Sequence, residues 1–377
     1  MYLGFNEEQE MLRKSARDFL SEEFPKTLVR EMEDDPTGFR PDIWGKIASL
    51  GWMGLVIPEE YGGSGNSFMD LFVLLEEMGR ACLVAPFFST IMCSYLILEM
   101  GNEDQKRKFL PKVANGELIL SLAMTEPSAG YDAGAIATKA SADGNNYVIN
   151  GTKLFVHDAQ VADYLLCVAR TNPSPSPEEG ITVFIVDSKS PDIKTSSLPT
   201  IADDKQTEVI FDSVSVPGEN MLGQLNKGWP LVNKLLERAA IAKCAEMIGG
   251  ADWTIENSIA YAKERVQYGR PIGSFQAIQH YLAEMWTEII HTKRLVYYAA
   301  CLLDQELNCT KEVAMAKARM NDVYKRCTHL GVRIHGGIGT TRDHDMGLYY
   351  RRARQAACLF GDAEFWREKV ALEAGLG

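Results

Sequence analysis

The sequence predicts an α+β chain in three parts: a helical domain over residues 1–117, a β domain over 118–226 and a helical bundle over 227–377. Two changes of period carry that prediction. Apolar residues recur at helical spacing up to about Gly116, then give way to short β-rich runs between about Leu118 and Leu225. Helical spacing returns from Gly228 onward. No internal repeat of 20–50 residues stands out, which argues against a solenoid.

In the first part, Met11, Ala16, Phe19 and Leu20 make one apolar face. Ile43, Ile47 and Leu50 make a second, and Leu71, Leu74, Leu75 and Met78 a third. Pro25, Pro36, Pro41, Pro58, Gly62-Gly63 and Pro86 punctuate the region, so several helices are expected. In the second part, Tyr147-Val148-Ile149, Leu165 to Val168, Ile181 to Val186 and Val209-Ile210-Phe211 read as strands. Turn residues at Asp143-Gly144-Asn145-Asn146 and Asn150-Gly151 separate them, which predicts a small antiparallel sheet or barrel. The proline-rich stretch Thr171 to Gly180 reads as an exposed hairpin loop between two strands. In the third part, helical segments near 229–266, 275–305, 311–333 and 345–357 predict a four-helix bundle.

Composition narrows the function classes. The chain has 377 residues, with 39 Lys+Arg against 51 Asp+Glu, a formal charge of -12. The 46% hydrophobic and 24% charged content is that of a globular protein, neither disordered nor fibrous. The acidic balance argues against nucleic acid as the main partner, because neutralising phosphates takes clustered Lys and Arg. No apolar run approaches the ~20 residues of a membrane span. The eight cysteines contain no C-x-x-C pair, so they read as small buried hydrophobes in a reducing compartment, neither zinc ligands nor a disulfide framework. The acidic start, Met1 to Glu10, reads as the head of a helix and not as a signal peptide, so the cytoplasm is expected.

Three segments carry chemistry. They are Met124-Thr125-Glu126-Pro127-Ser128-Ala129-Gly130-Tyr131-Asp132, the stretch Lys263 to Gln276 containing Glu264-Arg265-Val266-Gln267-Tyr268-Gly269-Arg270-Pro271, and His335-Gly336-Gly337-Ile338-Gly339. In order and spacing they resemble the acyl-CoA dehydrogenase family of flavoproteins, and the resemblance covers essentially the whole chain. It implies flavin adenine dinucleotide (FAD), α,β-dehydrogenation of an acyl-CoA thioester, and an electron-transferring flavoprotein as electron acceptor. Physical reasoning agrees with the cofactor. A pyrophosphate suits the forked guanidinium of Arg265, and Gly336 and Gly337 let backbone approach a ligand closely.

By the same resemblance, Arg265, Tyr268 and Gln276 contact the adenine dinucleotide portion. Arg333 through Gly337 reach the flavin of a neighbouring subunit, which implies a homo-oligomer, tetramer or dimer. Met124 and Thr125 lie along the flavin ring. The family's Lys-x-Trp-Ile-Thr reads Lys153-Leu154-Phe155-Val156-His157 here. Phe155 keeps an aromatic face for stacking, while His157 stands where a threonine usually hydrogen-bonds the reactive flavin nitrogen. Imidazole can donate that bond, but it is bulkier and titrates near neutrality. Tyr131 stands where a small serine is usual near cofactor and thioester.

The reaction needs a carboxylate to take the α-proton and donors for the developing enolate oxygen. In much of the family the carboxylate is a Glu followed by Gly-Thr. The corresponding stretch is Cys358-Leu359-Phe360-Gly361-Asp362-Ala363-Glu364, with Phe360 at the Glu position and Asp362 carried over as a cofactor contact. Phe360 cannot accept a proton, although its N–H could serve the oxyanion. A subgroup holds its base in a Leu-Glu-Arg at the head of the helix leading to the Arg265 motif, which resembles Leu236-Glu237-Arg238. That makes Glu237 the candidate base and Arg238 a coenzyme A contact. The match needs a local insertion of two residues near Gly249-Gly250, and Glu246 is the rival. Two other readings stand beside the dehydrogenase: a non-catalytic subunit of a hetero-oligomer, and a flavin monooxygenase or oxidase on the same fold. Bulky Phe360 and Tyr131 hint at branched, cyclic or dicarboxylic acyl groups.

Overall fold

Side-chain caps set where several helices begin. The Asn6 side chain accepts from the Gln9 N–H at 2.8 Å, while Gln9 Oε1 accepts from the Asn6 N–H at 3.1 Å; Ser67 with Asp70 and Asn102 with Gln105 repeat the arrangement. The computed structural model describes residues 4–376; Met1–Leu3, the head of the acidic start, and Gly377 lie outside the described residues. The first helices are α1 (Glu7–Glu23), α2 (Lys26–Asp34), α3 (Pro41–Ser49), α4 (Phe68–Ala81), α5 (Phe87–Met100) and α6 (Glu103–Ala114). Eight strands follow: β1 (Leu120–Ala123), β2 (Lys139–Asp143), β3 (Asn146–His157), β4 (Tyr164–Arg170), β5 (Ile181–Asp187), β6 (Ile193–Leu198), β7 (Gln206–Pro217) and β8 (Met221–Leu222). Next come α7 (Trp229–Glu264), the hairpin β9 (Val266–Gln267) and β10 (Arg270–Pro271), α8 (Gln276–Asp304), α9 (Thr310–His335), α10 (Asp345–Ala356) and α11 (Ala363–Glu373).

The chain divides into two compact units. One comprises Met32–Asn66 and Val84–Leu236, the other Met1–Glu31, Ser67–Leu83 and Glu237–Gly377. The first holds the sheet with α3, α5 and α6. Its strand order is β6-β7-β3-β2-β4-β5-β8, with β1 beside β4. β4 and β5 are buried along nearly their whole length, which explains why they read as continuous apolar runs. The segment 171–180 joins them as the expected loop.

Two features differ from the sequence expectation. The sheet is an open path among the described residues, not a closed barrel, and it is mixed, not purely antiparallel. β1 runs parallel to β4, pairing Leu120 with Tyr164 through Ala123 with Cys167, and Lys139 of β2 pairs in parallel with Arg170. Hairpin turns announce antiparallel neighbours in sequence. A four-residue strand reaching its partner through a long connection carries no such turn, so its direction was not readable.

In the second unit, α9 is packed by α8, α10 and α11, and α4 by α1 and α8. α7 is one continuous helix of 36 residues that runs through Gly249-Gly250. Those two glycines sit where neighbouring elements approach closely. A Cβ on Gly249 would lie 1.8 Å from the Glu76 carbonyl oxygen, and one on Gly250 2.1 Å from the Tyr324 hydroxyl. Gly79 of α4 meets Glu246 of α7 in the same way, at 2.0 Å from its carbonyl oxygen. α4 and α7 therefore touch backbone to backbone.

No helix among the described residues is long and apolar enough to cross a membrane. Gly249→Ala should destabilise the protein by about 1–3 kcal/mol, because the helices must separate to admit a methyl group. Gly45→Ala, at an exposed position of α3 with nothing within 4 Å, should stabilise by about 0.5–1 kcal/mol through lost unfolded-state freedom. Urea midpoints of the two variants check the contrast; equal shifts would contradict the close-approach account.

Candidate functional site

In the sheet unit the site begins with a lysine that has no contact with water. Lys153 is fully buried on β3, in phase with Ile149, and its Nζ donates to Glu126 Oε1 at 2.6 Å, to the Val168 carbonyl at 2.7 Å and to the Met124 carbonyl at 3.1 Å. All three donors are therefore satisfied. Glu126, also buried, accepts in addition from the Ala137 N–H at 2.8 Å and the Thr138 N–H at 3.0 Å. Burial works to raise the Glu126 carboxyl. The Lys153 charge and these hydrogen bonds outweigh it and hold the group below the usual carboxylate range. One ion pair thus ties the 124–126 segment to β3 and β4, and Leu154 N–H donates to the Thr125 carbonyl at 2.8 Å beside it.

The next residues of β3 bulge away from β7. Between the pairs Lys153–Val209 and Val156–Thr207, β3 holds two residues and β7 one. Phe155 takes up the extra length with φ 54°, and the residue is 45% exposed. His157 ends the strand. Its Nε2 stands 3.4 Å from Asp204 Oδ2, and its carbonyl accepts from the Ser121 hydroxyl. Asp204 also accepts from Thr200 Oγ1 and Gln206 Nε2, each at 2.5 Å. Burial opposes its charge, but the His157 contact and these donors hold the carboxyl far below its ordinary value. Met124 is buried, and Thr125 and Tyr131 are half-buried. The loop carrying Tyr131 is pinned by Arg170, which donates to the carbonyls of Ala133 at 2.8 Å and Ile136 at 3.0 Å.

The helical unit gathers the second group at one end. Arg265 follows α7, Gln276 opens α8, and Arg333 to Gly337 close α9. Tyr261, one turn before Arg265, stacks on His335 at 4.3 Å, and the Arg333 guanidinium lies 5.1 Å over the Tyr281 ring of α8. Burial lowers the His335 pKa. Arg265, Gln276, Arg333, Gly336 and Gly337 are exposed. Gly336 has φ 69°, and a Cβ on either glycine would meet nothing within 4 Å, so backbone stands open to an approaching ligand. Tyr268 and Gly269, both with positive φ, turn the β9–β10 hairpin, and Tyr268 at its tip is 93% exposed.

The proton-transfer candidates lie elsewhere in this unit. The half-buried Glu237 carboxylate accepts from Thr310 Oγ1 at 2.9 Å. Burial raises its pKa, with the Thr310 bond and the Lys369 charge opposing. Glu246 is bound to Lys243 Nζ at 2.5 Å. Arg238 is buried. Phe360 is held at φ 55°, a left-handed conformation rare for a bulky residue, and its carbonyl accepts from Trp366 Nε1 at 2.9 Å. Asp362 caps α11, accepting from the Phe365 N–H at 2.8 Å. Sequence reasoning singled out neither the Lys153–Glu126 pair nor Asp204. A lysine on the inward phase of a strand was the available signal for the first; nothing local signalled the second. Among the described residues no cluster of His, Cys, Asp and Glu could hold a metal ion.

Comparisons with known proteins follow the same geography. Three family models match in order: acyl-CoA dehydrogenase N-terminal domain over residues 6–117, middle domain over 121–214 and C-terminal domain over 226–374. A 3-(aryl)acrylate reductase of Clostridium sporogenes is 35% identical over 97% of this chain and 98% of its own. Subunit CarC of the caffeyl-CoA reductase-Etf complex of Acetobacterium woodii is 35% identical over 93% of each. The structure of butyryl-CoA dehydrogenase from Megasphaera elsdenii superposes with TM-score 0.92 at 29% identity, covering 99% of this chain and 100% of that one.

Lys153→Met leaves Glu126 buried without its cation, which should cost about 3–5 kcal/mol at pH 7. Because the Glu126 carboxyl is depressed in the folded wild type, its contribution is present above the ordinary carboxylate range and lost as pH falls through the folded value. In the variant the carboxyl can take a proton instead, so the gap to wild type should narrow toward pH 4. Urea unfolding at the two pH values measures it; an equal gap at both would contradict the ion-pair account.

Proposed function

The chain belongs to the acyl-CoA dehydrogenase family, and from that premise we propose that it is an FAD enzyme interconverting an acyl-CoA thioester and its α,β-unsaturated form. The observation that carries this reading is the ordered match of all three domain models over 6–374, with the three chemistry-bearing segments inside it. The residues fit the cofactor. Open backbone at Gly336–Gly337 is a cradle that side chains would fill, Arg265 faces solvent with its fork of donors, and Phe155 offers an exposed ring on a bulge.

Bound flavin would supply the acceptor for the hydrogen and electron pair that leave Cβ. The chain's own residues do the rest. Arg265, with Tyr268 and Gln276, would bind the dinucleotide, and Arg333, Gly336 and Gly337 would reach the flavin of a neighbouring subunit. Met124, Thr125 and Phe155 would line the ring, with His157 held by Asp204 beside it. Asp362 would act through the start of α11, where its carboxylate already caps the helix. Glu237 would remove the α-proton. Burial raises its pKa and its carboxylate accepts from the Thr310 hydroxyl, whereas Glu246 is engaged by Lys243. Run in the other direction, Glu237 returns the proton to Cα, so one site serves oxidation and reduction. Arg238 would meet coenzyme A, and Tyr131 and Phe360 would shape the acyl pocket.

Electrons would pass to or from an electron-transferring flavoprotein, as the name of the Acetobacterium relative's complex suggests. A homo-oligomer is supported by apolar side chains left exposed: Val266, Tyr268, Trp286, Ile290, Tyr298 and Ile338. Tyr297, Leu302 and Leu303, on the same helix as Tyr298, are buried within the chain's own bundle. Eight free cysteines suit the cytoplasm.

Anaerobic titration of the flavin-loaded protein with linear, branched, cyclic and aryl CoA thioesters tests the reading. At least one saturated thioester should bleach the flavin absorbance, and Arg265→Ala should strip the yellow colour during purification. Absence of bleaching with every thioester, or full flavin occupancy in Arg265→Ala, would contradict it.

A further inference from the structure

Lys317 of α9 is a fully buried cation that the proposed chemistry does not use. Its Nζ donates to Asn321 Oδ1 at 2.7 Å and to the Ala356 carbonyl at 3.0 Å, and lies 4.0 Å from Met247 Sδ. Among the described residues no carboxylate pairs with it. Its counter-charge is a helix end: Ala356 is the last residue of α10, where unsatisfied carbonyls carry partial negative charge.

The loop beyond Ala356 is bent twice. Phe360 has φ 55° and Gly361 φ 98°, and a Cβ on Gly361 would lie 2.2 Å from Trp366 Nε1. Such a loop persists only when its surroundings hold it. Three side-chain donors converge on its carbonyls: Lys317 on Ala356, Asn321 Nδ2 on Gly361 at 3.3 Å, and Trp366 Nε1 on Phe360 at 2.9 Å. Lys317 governs two of them, because it also fixes the Asn321 amide by binding its oxygen.

We propose that Lys317 is the positioning residue of the 357–362 loop, and that loss of its proton loosens the loop that carries Phe360. The neutral amine keeps two N–H donors, enough for both oxygens, but loses the charge that attracts the end of α10. The proton goes to solvent and no electrons move. The groups around the ammonium are Cys244, Met247 and Lys243 of α7, the last tied to Glu246, Asn321 of α9, and Cys358 and Asp362 of the loop. Burial brings the Lys317 pKa down to about 8; the Lys243 charge adds to this, and the Asp362 carboxylate opposes it. The ammonium form therefore holds the loop below about pH 8 and gives way above it. That this loop borders the thioester site rests on the functional reading above; the loop mechanics do not.

Hydrogen exchange of the flavin-loaded protein, followed by mass spectrometry in the peptide covering 356–364, tests the proposal. After correction for intrinsic exchange, wild-type protection should fall about tenfold as pH rises through 8, the size expected of a partly buried charge at a helix C-terminus. Lys317→Met should show the low protection at every pH. Wild-type protection that stays level between pH 7 and 9.5 would overturn the proposal, whether or not the variant folds. A variant with the wild-type profile would overturn it too. The KM for butyryl-CoA, used as probe, should rise over the same interval with a smaller change in kcat. A loop that loosens while KM stays level keeps the positioning role and removes the loop from the thioester site.

Discussion

A lysine shut away from water must find three acceptors inside the protein, and Lys153 finds them in two segments distant from its own strand, 124–126 and β4. That requirement organises the sheet unit. Satisfying it brings Met124 and Glu126 against β3 and β4, and the bulge that follows turns Phe155 outward immediately after the buried lysine. Two more donors, the N–H groups of Ala137 and Thr138, close the remaining capacity of Glu126. The loop that holds Tyr131 is then bounded by Glu126 at one end and Arg170 at the other. The exposed edge at Phe155 is thus a by-product of satisfying one buried charge.

The helical unit solves a similar problem with helix ends and close contact. Gly79 and Gly249 let α4 and α7 meet at backbone distance, while Lys317 takes the end of α10 as its counter-charge. Glu76 of α4 is bound by Lys293 at 2.7 Å and by the Tyr297 hydroxyl at 2.6 Å, and Lys293 also meets Asp252 at 2.7 Å. These ties leave few carboxylates in position for proton transfer. Phe360 has no acidic group, Glu246 is occupied by Lys243, and Glu237 keeps a carboxyl whose pKa burial raises.

Much of this was legible in the sequence, for physical reasons that differ by element. Period 3.6 runs on long helices and turn residues between strands are local signals, so α7 to α10 and the β3, β4, β5 and β7 strands could be read directly. Glycines in a ligand motif read as close approach, and Gly336 and Gly337 do stand open. What was not legible depends on residues far apart in the chain. The parallel pairing of β1 with β4 joins residues 44 positions apart, the Lys153–Glu126 pair 27, and the Lys317–Ala356 contact 39. The close approach at Gly249-Gly250 is of the same kind, since the groups that a Cβ would meet there belong to α4 and Tyr324.

In the proposed function a carboxylate other than the one missing at Phe360 removes the α-proton. Exchange of that proton with solvent reports it directly and requires no net oxidation. The flavin-loaded protein, incubated in deuterium oxide with a thioester that bleaches it, should place deuterium at Cα as followed by mass spectrometry. Glu237→Gln keeps the shape and removes the base, so exchange should slow by about a hundred- to ten-thousand-fold while flavin remains bound. Exchange at the wild-type rate in Glu237→Gln would contradict the assignment.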